Sequence, residues 1–493
     1  MPFLAQLTID PGVADAVTTS LWSHAYTVGG VLLVLFAVAR LMNERRQPGN
    51  TVAWLLGIVL LPYVGVPLFL LFGGRKIRRL AARKRRIRAP EVGAARASAA
   101  TLAHPVVQTM CTNGAGEPTG GNSVRLVTNG EEAFAELERL IMGARHSIHI
   151  ATFILGRDHV SLRLVNLLAR RAREGIQVRL QLDALGCFFS SGSFVDPLRK
   201  AGGEVAKFLP VMPLSSRGSA NLRNHRKIAV FDRHTAFVGG HNLAREYLGP
   251  KPWKKRWQDL GTVITGPAAS MLDDIFLADW AFATGRSYDI LQHALEINPP
   301  PPAPPASPDL PADSELQVVA SGPDVSGDAL YEGMLSMIHE AARSVWIVTP
   351  YFLPDEVLLR SLIVKARAGR DVTIILPARS NHPVTDLARR PYLRQLVRAG
   401  ARVLAYQPRM LHAKAVIVDD VALLGSANID MRSLFVNFEI GVVLHSARDV
   451  QAVRAWAADL VRDCRPVSLV DLRRRRFPLN LAEELSRLLT PLL

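Results

Sequence analysis

Apolar and polar positions divide the chain into two kinds of sequence. From Ser20 to Ala39 there is no Asp, Glu, Lys or Arg, and the centre reads VGGVLLVLFAVA. After the polar stretch NERRQPGN, a second uncharged run, TVAWLLGIVLLPYVGVPLFLLF, extends from Thr51 to Phe72. Each is about the 20 residues a helix needs to cross ~30 Å of hydrocarbon. Pro62 and Pro67 would disturb a soluble helix but are tolerated in a membrane one. The stretch from Met1 to Ser20 carries no Lys or Arg, unlike the basic start of a signal peptide. Residues 1–74 are therefore expected to form a membrane hairpin with spans about 20–39 and 51–72.

Beyond this the period changes. Phe134, Leu137 and Ile141 recur at helical spacing, and so do Leu330, Met334 and Ile338. REGIQVRLQLD and RAGRDVTIILP run from helix ends into near-continuous apolar strands, the pattern of parallel strands covered on both faces. The order strand, turn, helix, strand occurs twice, which predicts an α/β part made of two similar halves, 122–297 and 314–493. Between them NPPPPAPPASPDLPAD, residues 298–313, reads as an extended linker. Residues 75–121 read as a basic connector, and its Ala- and Gly-rich stretch from Ala89 to Gly121 is expected to be poorly ordered.

The formal charge of +16 favours partners that carry phosphate, nucleic acid or anionic lipid. The hairpin favours lipid. Arg75, Lys76, Arg78, Arg79, Arg83, Lys84, Arg85, Arg86 and Arg88 follow the second span, against Arg45 and Arg46 between the spans. The positive-inside rule then places the long C-terminal part in the cytoplasm, with about 1 kcal/mol per basic residue gained against an anionic surface. Near the C-terminus, Arg473 to Arg476 precede a segment with Leu481, Leu485 and Leu488 on one helical face. That segment is expected either on the membrane surface or packed on the second half. Cys111, Cys187 and Cys464 form no CxxC pair, so neither a zinc cluster nor a disulfide framework is indicated, and a reducing compartment fits.

Candidate chemistry lies in NLRNHRKIAVFDRH and RMLHAKAVIVDDVA, which repeat His-x-Lys-x4-Asp: His225, Lys227 and Asp232, then His412, Lys414 and Asp419. On a strand, residues two apart share a face, so each His projects with its Lys. Lysine supplies charge for phosphate oxygens, and a histidine near neutral pH serves as nucleophile or proton donor. Two such pairs across one pocket allow one neutral His to attack phosphorus while the other, protonated, serves the leaving oxygen. Asp232 and Asp419 complete the motif, but strand parity points them away from the His–Lys face and gives them a structural part. Asn242 and Asn428 end matching Gly-x-x-Asn turns and can donate to a phosphate oxygen, with Ser426 a further donor. Asp259 and Glu439 follow the histidine of their own half, and either can accept an imidazole N–H and fix its tautomer. No metal and no cofactor is called for.

These motifs resemble the HKD motifs of the phospholipase D superfamily, and over most of its length the chain is similar to bacterial cardiolipin synthases. AWLLGIVLLPYVGVPLFLLFG, TPYFLPDE, NFEI and RLLTPLL carry that likeness with the two motifs. The resemblance implies pseudo-twofold phospholipase D-like halves sharing one active site, in a bacterial inner-membrane protein. It implies a phosphatidyltransferase that makes cardiolipin from two phosphatidylglycerol molecules, releasing glycerol through a phosphatidyl-histidine. By resemblance, His225 is the nucleophile and His412 the general acid, with Lys227, Lys414, Asn242 and Asn428 holding the phosphoryl oxygens. The chain departs from the family at Ala244, Arg245 and Glu246, and at Gln258 and Gly261 around Asp259. Phosphatidylethanolamine as donor, a hydrolase using water, a nucleic-acid phosphodiesterase and a membrane scaffold with a decayed site are the rival readings. The hairpin opposes the nuclease and the intact motifs oppose decay.

Overall fold

A computed structural model describes residues 11–42, 48–69, 97–210, 222–297, 310–325, 327–473 and the isolated positions Glu483 and Ser486. The basic run from Arg75 to Arg88, the linker before Leu310, and Leu481, Leu485 and Leu488 lie outside the described residues. The chain divides into two units, Met1–Arg78 and Arg79–Leu493.

The first unit contains α1 (Pro11–Met42), α2 (Pro48–Leu60) and α3 (Pro62–Leu68). Within α1, the 22 residues Thr18–Ala39 are long and apolar enough to cross a membrane. The second apolar run differs from the single span expected of it: among the described residues it is two helices broken at Leu61. Leu61 leaves the helical region, with φ −135° and ψ 64°, and Pro62 starts α3. Proline fits a first helical position because it has no N–H to satisfy there. The pieces fold on α1 through a buried cluster of Ala37, Leu41, Ile58, Val66 and Phe69. Gly65 backs onto the Gly57 carbonyl with no room for a Cβ. Leu21, Trp22, Leu32, Phe36, Leu56 and Leu60 face outward, each more than half exposed.

The second unit is built on one sheet. Its first half contributes β1 (Thr119–Val127), β2 (Ser147–Thr152), β3 (Gln177–Asp183), β4 (Glu204–Phe208), β5 (Ile228–Phe231), β6 (Thr235–Gly239) and β7 (Gly261–Thr265). The second half contributes β8 (Ser314–Ser321), β9 (Ser344–Val348), β10 (Asp371–Pro377), β11 (Arg402–Tyr406), β12 (Ala415–Val418), β13 (Val421–Gly425), β14 (Glu439–Leu444) and a short β15 (Cys464–Pro466). The order is β15-β11-β10-β9-β12-β13-β14-β8-β1-β7-β6-β5-β2-β3-β4. Read outward from the central β8–β1 pair, both halves give the same sequence of seven strands, with β15 added at the edge of the second, so a pseudo-twofold passes through that pair. β2, β3 and β4 are mutually parallel, as are β9, β10 and β11, and their faces are buried as the apolar runs require.

Helices cover the sheet for local reasons. Asn129 caps Gly130–Gly143 by accepting the Glu132 N–H, and the helix buries Phe134, Leu137 and Ile141. Its counterpart Ala329–Glu340 buries Leu330, Met334 and Ile338. Each such side chain contributes about 1.5–3 kcal/mol relative to exposure. The expected disorder from Ala89 to Gly121 needs correction over its described part. Pro105–Thr112 is a helix whose Val106 and Met110 join the core of the second half, with Met110 seated over Gly333. The Ala and Gly content hid a short apolar face.

Candidate active site

His225 and His412 lie in extended chain just before β5 and β12. In the sheet, Ile228 pairs with Ala151 near the C-terminal end of β2, and Ala415 pairs with Val348 at the end of β9. The His–Lys pairs therefore sit at the C-terminal ends of the parallel strands, where α/β sheets hold their ligands. The halves then interlock. Asn224 bridges Phe438, and His225 N–H donates to the Phe438 carbonyl at 2.9 Å. Leu411 bridges Gln258, and His412 N–H donates to the Gln258 carbonyl at 2.6 Å.

This crossing decides the carboxylate pairs. Glu439 follows Phe438, and both its oxygens lie 3.0 Å from His225 Nδ1. Asp259 follows Gln258, and its Oδ2 lies 2.7 Å from His412 Nδ1. Chain order associates each carboxylate with its own half's histidine; the fold gives each to the other half. With Nδ1–H donated to a carboxylate, Nε2 carries the lone pair in the neutral ring. Ser426 donates to Glu439 Oε2 and accepts the Ile440 N–H at 3.0 Å. Ser426 thus orients the carboxylate rather than presenting its hydroxyl to a phosphate. At the matching place in the first half, Gly240 leaves no space for a Cβ beside the Asp259 carboxylate.

The four basic groups share one electrostatic site. Burial lowers the pKa of His225, against the pull of Glu439, and both lysines lower it further. Burial and then Lys414 push His412 down to about 3, with Asp259 opposing. Burial brings Lys227 down to about 7 and Lys414 to about 8. Asp259 is held well below the ordinary carboxylate range despite its burial, chiefly by His412, His241 and Lys414. Lys227 Nζ donates to the His225 carbonyl at 2.9 Å, and Lys414 Nζ donates to the His412 carbonyl and lies 2.8 and 3.1 Å from the ring's Nδ1 and Nε2. Four buried cationic or potentially cationic groups against two carboxylates make a place where an anion is favoured.

The remaining expected residues divide. Asn242 is buried; its Oδ1 accepts the Ile154 N–H at 3.0 Å and its side chain also bonds the Tyr247 hydroxyl, so one N–H of its amide remains for a ligand. Asn428 is buried with no partner for Oδ1 among the described residues, while its side chain bonds Asp430. Asp232 and Asp419, grouped by motif with the catalytic set, sit beyond the far ends of β5 and β12. Asp232 accepts the N–H groups of Arg145, His146 and Ser147 at 2.8, 2.7 and 2.9 Å. Asp419 accepts those of Ala342 and Ser344 at 2.6 and 2.8 Å, with Arg343 at 3.1 Å. Both residues have positive φ, 53° and 45°. Their catalytic grouping is corrected on this geometry: each ties its strand turn to the loop entering the neighbouring parallel strand.

Sequence reasoning missed the aromatic walls. Phe153 stands edge-on to His225 at 4.9 Å. Tyr247 and Trp257 pack on His412 at 5.0 and 5.3 Å. It also missed Arg226, the middle residue of the first motif, which is fully buried. Arg226 bonds Asp279 at 2.7 Å and the carbonyls of Glu439 at 3.0 Å and Ser321 at 3.1 Å, stitching the halves together. Asp183 was legible in principle as a carboxylate ending an apolar parallel strand. Of the departures, Gln258 turns its side chain to the Thr128 carbonyl, and only its backbone carbonyl serves His412.

Comparison with known proteins accords with this geometry. Residues 137–280 and 334–461 match the family described as cardiolipin synthase, PLD-like domain. Residues 32–74 match the phospholipase D-nuclease N-terminal family. The cardiolipin synthase of Geobacillus kaustophilus is 32% identical over 99% of both chains. Cardiolipin synthase 1 of Bacillus cereus is 32% identical over 96% of this chain and 93% of its own. Among solved structures, the phosphatidylserine synthase of Haemophilus influenzae superposes with TM-score 0.59 at 15% identity, covering 75% of this chain and 95% of that one. That likeness is one of fold.

Proposed function

The chain belongs to the cardiolipin synthase family, and from that premise we propose how its two crossed His–carboxylate pairs divide the work. The protein is a phosphatidyltransferase that makes cardiolipin. Phosphatidylglycerol is the donor. Its phosphodiester enters between Lys227 and Lys414, with the remaining N–H of the Asn242 and Asn428 amides on the non-bridging oxygens. The anion offsets the charge of Lys414, which otherwise lowers the His412 pKa, so His412 takes up a proton beside Asp259. His225 Nε2 attacks phosphorus, the bond to the headgroup glycerol oxygen breaks, and His412 Nε2–H gives its proton to that oxygen. Glycerol leaves and a phosphatidyl-histidine remains. A headgroup hydroxyl of a second phosphatidylglycerol then attacks phosphorus, His412 takes the hydroxyl proton, and the phosphorus–nitrogen bond breaks to yield cardiolipin.

Glu439 and Asp259 keep the two rings in the Nδ1–H tautomer and stabilise the charge each acquires. The observation that carries this reading is the exchange of carboxylates between halves, which makes each histidine competent only when both halves are in place. In the membrane, α1 with the α2–α3 segment forms a hairpin with both ends cytoplasmic, as the basic residues after Phe72 favour. Purified protein given headgroup-labelled phosphatidylglycerol is expected to release glycerol and form cardiolipin in equal amounts. Phosphatidic acid as the main product would replace this reading with hydrolysis, and preference for added phosphatidylethanolamine would change the donor.

A further inference from the structure

Residues 184–192 leave the C-terminal end of β3 and carry Leu185, Phe188 and Phe189 outward, 50, 63 and 79% exposed. Among the described residues of the second unit, none of the large apolar side chains is more exposed than Phe189. The two phenyl rings meet edge to face at 5.3 Å. The base of this loop is fixed. Asp183 Oδ1 accepts the N–H groups of Leu185 and Gly186 at 2.9 and 3.0 Å. Cys187 Sγ donates to the Phe153 carbonyl at 3.2 Å, and Ser190 Oγ to the Leu155 carbonyl at 2.6 Å. Gly186 lies against the Phe153 carbonyl with no space for a Cβ.

These anchors are shared with the nucleophile. Asp183 Oδ2 accepts the N–H of Asn224, the residue before His225, at 3.0 Å, and Phe153 is the ring against His225. The loop tip is thus apolar while its base is locked to the site. Basic side chains flank it: Arg199, paired with Asp196 at 3.0 Å, donates to the carbonyls of Ser191 and Gly192 at 3.1 and 2.9 Å, and the exposed Lys207 pairs with Leu182 near the C-terminal end of β3. An aromatic tip with Lys207 and Arg199 near its base fits the boundary between anionic headgroups and acyl chains.

We propose that the loop from Leu185 to Phe189 inserts into an anionic lipid surface and docks the catalytic end of the second unit there. The inference rests on the reading that the substrate is a bilayer phospholipid. It is tested on the full chain in vesicles of phosphatidylglycerol and phosphatidylcholine. An environment-sensitive fluorophore is attached at Phe189→Cys in a Cys111→Ala, Cys464→Ala background. Cys187 remains but is buried, its thiol pushed up to about 12. The control position is Arg370→Cys, exposed before the N-terminal end of β10.

Lipids brominated on their acyl chains are expected to quench the probe at 189 about twofold or more, and the probe at 370 hardly at all. Phe188→Ser with Phe189→Ser is expected to lower turnover of vesicle phosphatidylglycerol about tenfold, with turnover of a short-chain, monomerically dissolved analogue unchanged. An unquenched probe at 189, or equal loss on both substrates, would overturn the inference. Unquenched probe with normal cardiolipin formation leaves the proposed function standing. Quenching needs no turnover, so a protein that docks without making cardiolipin would sink the function and not the loop.

Discussion

The two ends of the site use the same His-x-Lys pair and hold it differently. Around His225 the partner is the longer Glu439, steadied by Ser426, and the intervening motif residue Arg226 is buried and bonded to three neighbours. Around His412 the partner is the shorter Asp259, Gly240 replaces the serine, and the intervening residue is Ala413. One CH2 more in the carboxylate comes with a hydroxyl that fixes it; one CH2 less comes with a glycine that makes room for it. What duplication preserved is a carboxylate on Nδ1 supplied from the opposite half.

The largest effect expected on this comparison comes from the carboxylates. Glu439→Gln and Asp259→Asn each allow the wrong imidazole tautomer, and each is expected to lower kcat about 10³–10⁴-fold in a steady-state assay. A loss at one end only would mean that the two rings are not equivalent partners. Next come the supporting residues, where the ends should differ. Gly240→Ser drives a side chain into Asp259 and is expected to cost about 10²-fold in kcat. Ser426→Gly removes one hydrogen bond to Glu439 and is expected to cost about tenfold. Equal losses would remove the asymmetry.

The pH profile of kcat/KM sharpens the comparison further. Burial holds His225 below its ordinary value of 6.5, so the ring stays neutral, as the proposed attack requires, until the pH falls under that value, and the acid limb is expected there. Lys227 and Lys414 are cations only below about 7 and 8, so kcat/KM falls as the pH rises through that range. A limb near 10 would contradict the buried pair. The same shifts carry a stability sign. Between about 7 and the usual lysine value the unfolded chain binds more protons than the folded one, so stability rises with pH there. Lys227→Met is accordingly expected to raise Tm at pH 7 by about 2 °C or more. The smallest contrast is between the turn aspartates. Asp232→Ala leaves buried N–H groups unpaired and is expected to cost about 3 kcal/mol in denaturant unfolding, against about 1 kcal/mol for the more exposed Asp419→Ala.

Much of this was legible in the chain. The helix faces of Phe134, Leu137 and Ile141 and the parallel strands were written in local periodicity, because burial on a repeating surface leaves a repeating signal. Strand parity also separated Asp232 and Asp419 from the histidines. Which carboxylate serves which histidine was not legible. It depends on the long-range bridges Asn224–Phe438 and Gln258–Leu411, and no local pattern encodes pairings across 214 and 153 residues. Ser426 was read as a phosphate donor because a hydroxyl beside Asn428 suits that task equally well until Glu439 is seen beside it. The break at Leu61 was masked by uninterrupted apolarity, which reports environment and not helix continuity.

The central claim, that histidines from opposite halves act in turn on one phosphodiester, is tested most directly by trapping. A phosphatidyl donor with a nitrophenyl leaving group needs no general acid, so the His412→Ala protein should still take up one labelled phosphatidyl group per chain. After rapid quenching and peptide mapping, the account places that label on His225, with none bound by the His225→Ala protein. Label on His412 in the His225→Ala protein, or on neither histidine in any variant, would contradict it.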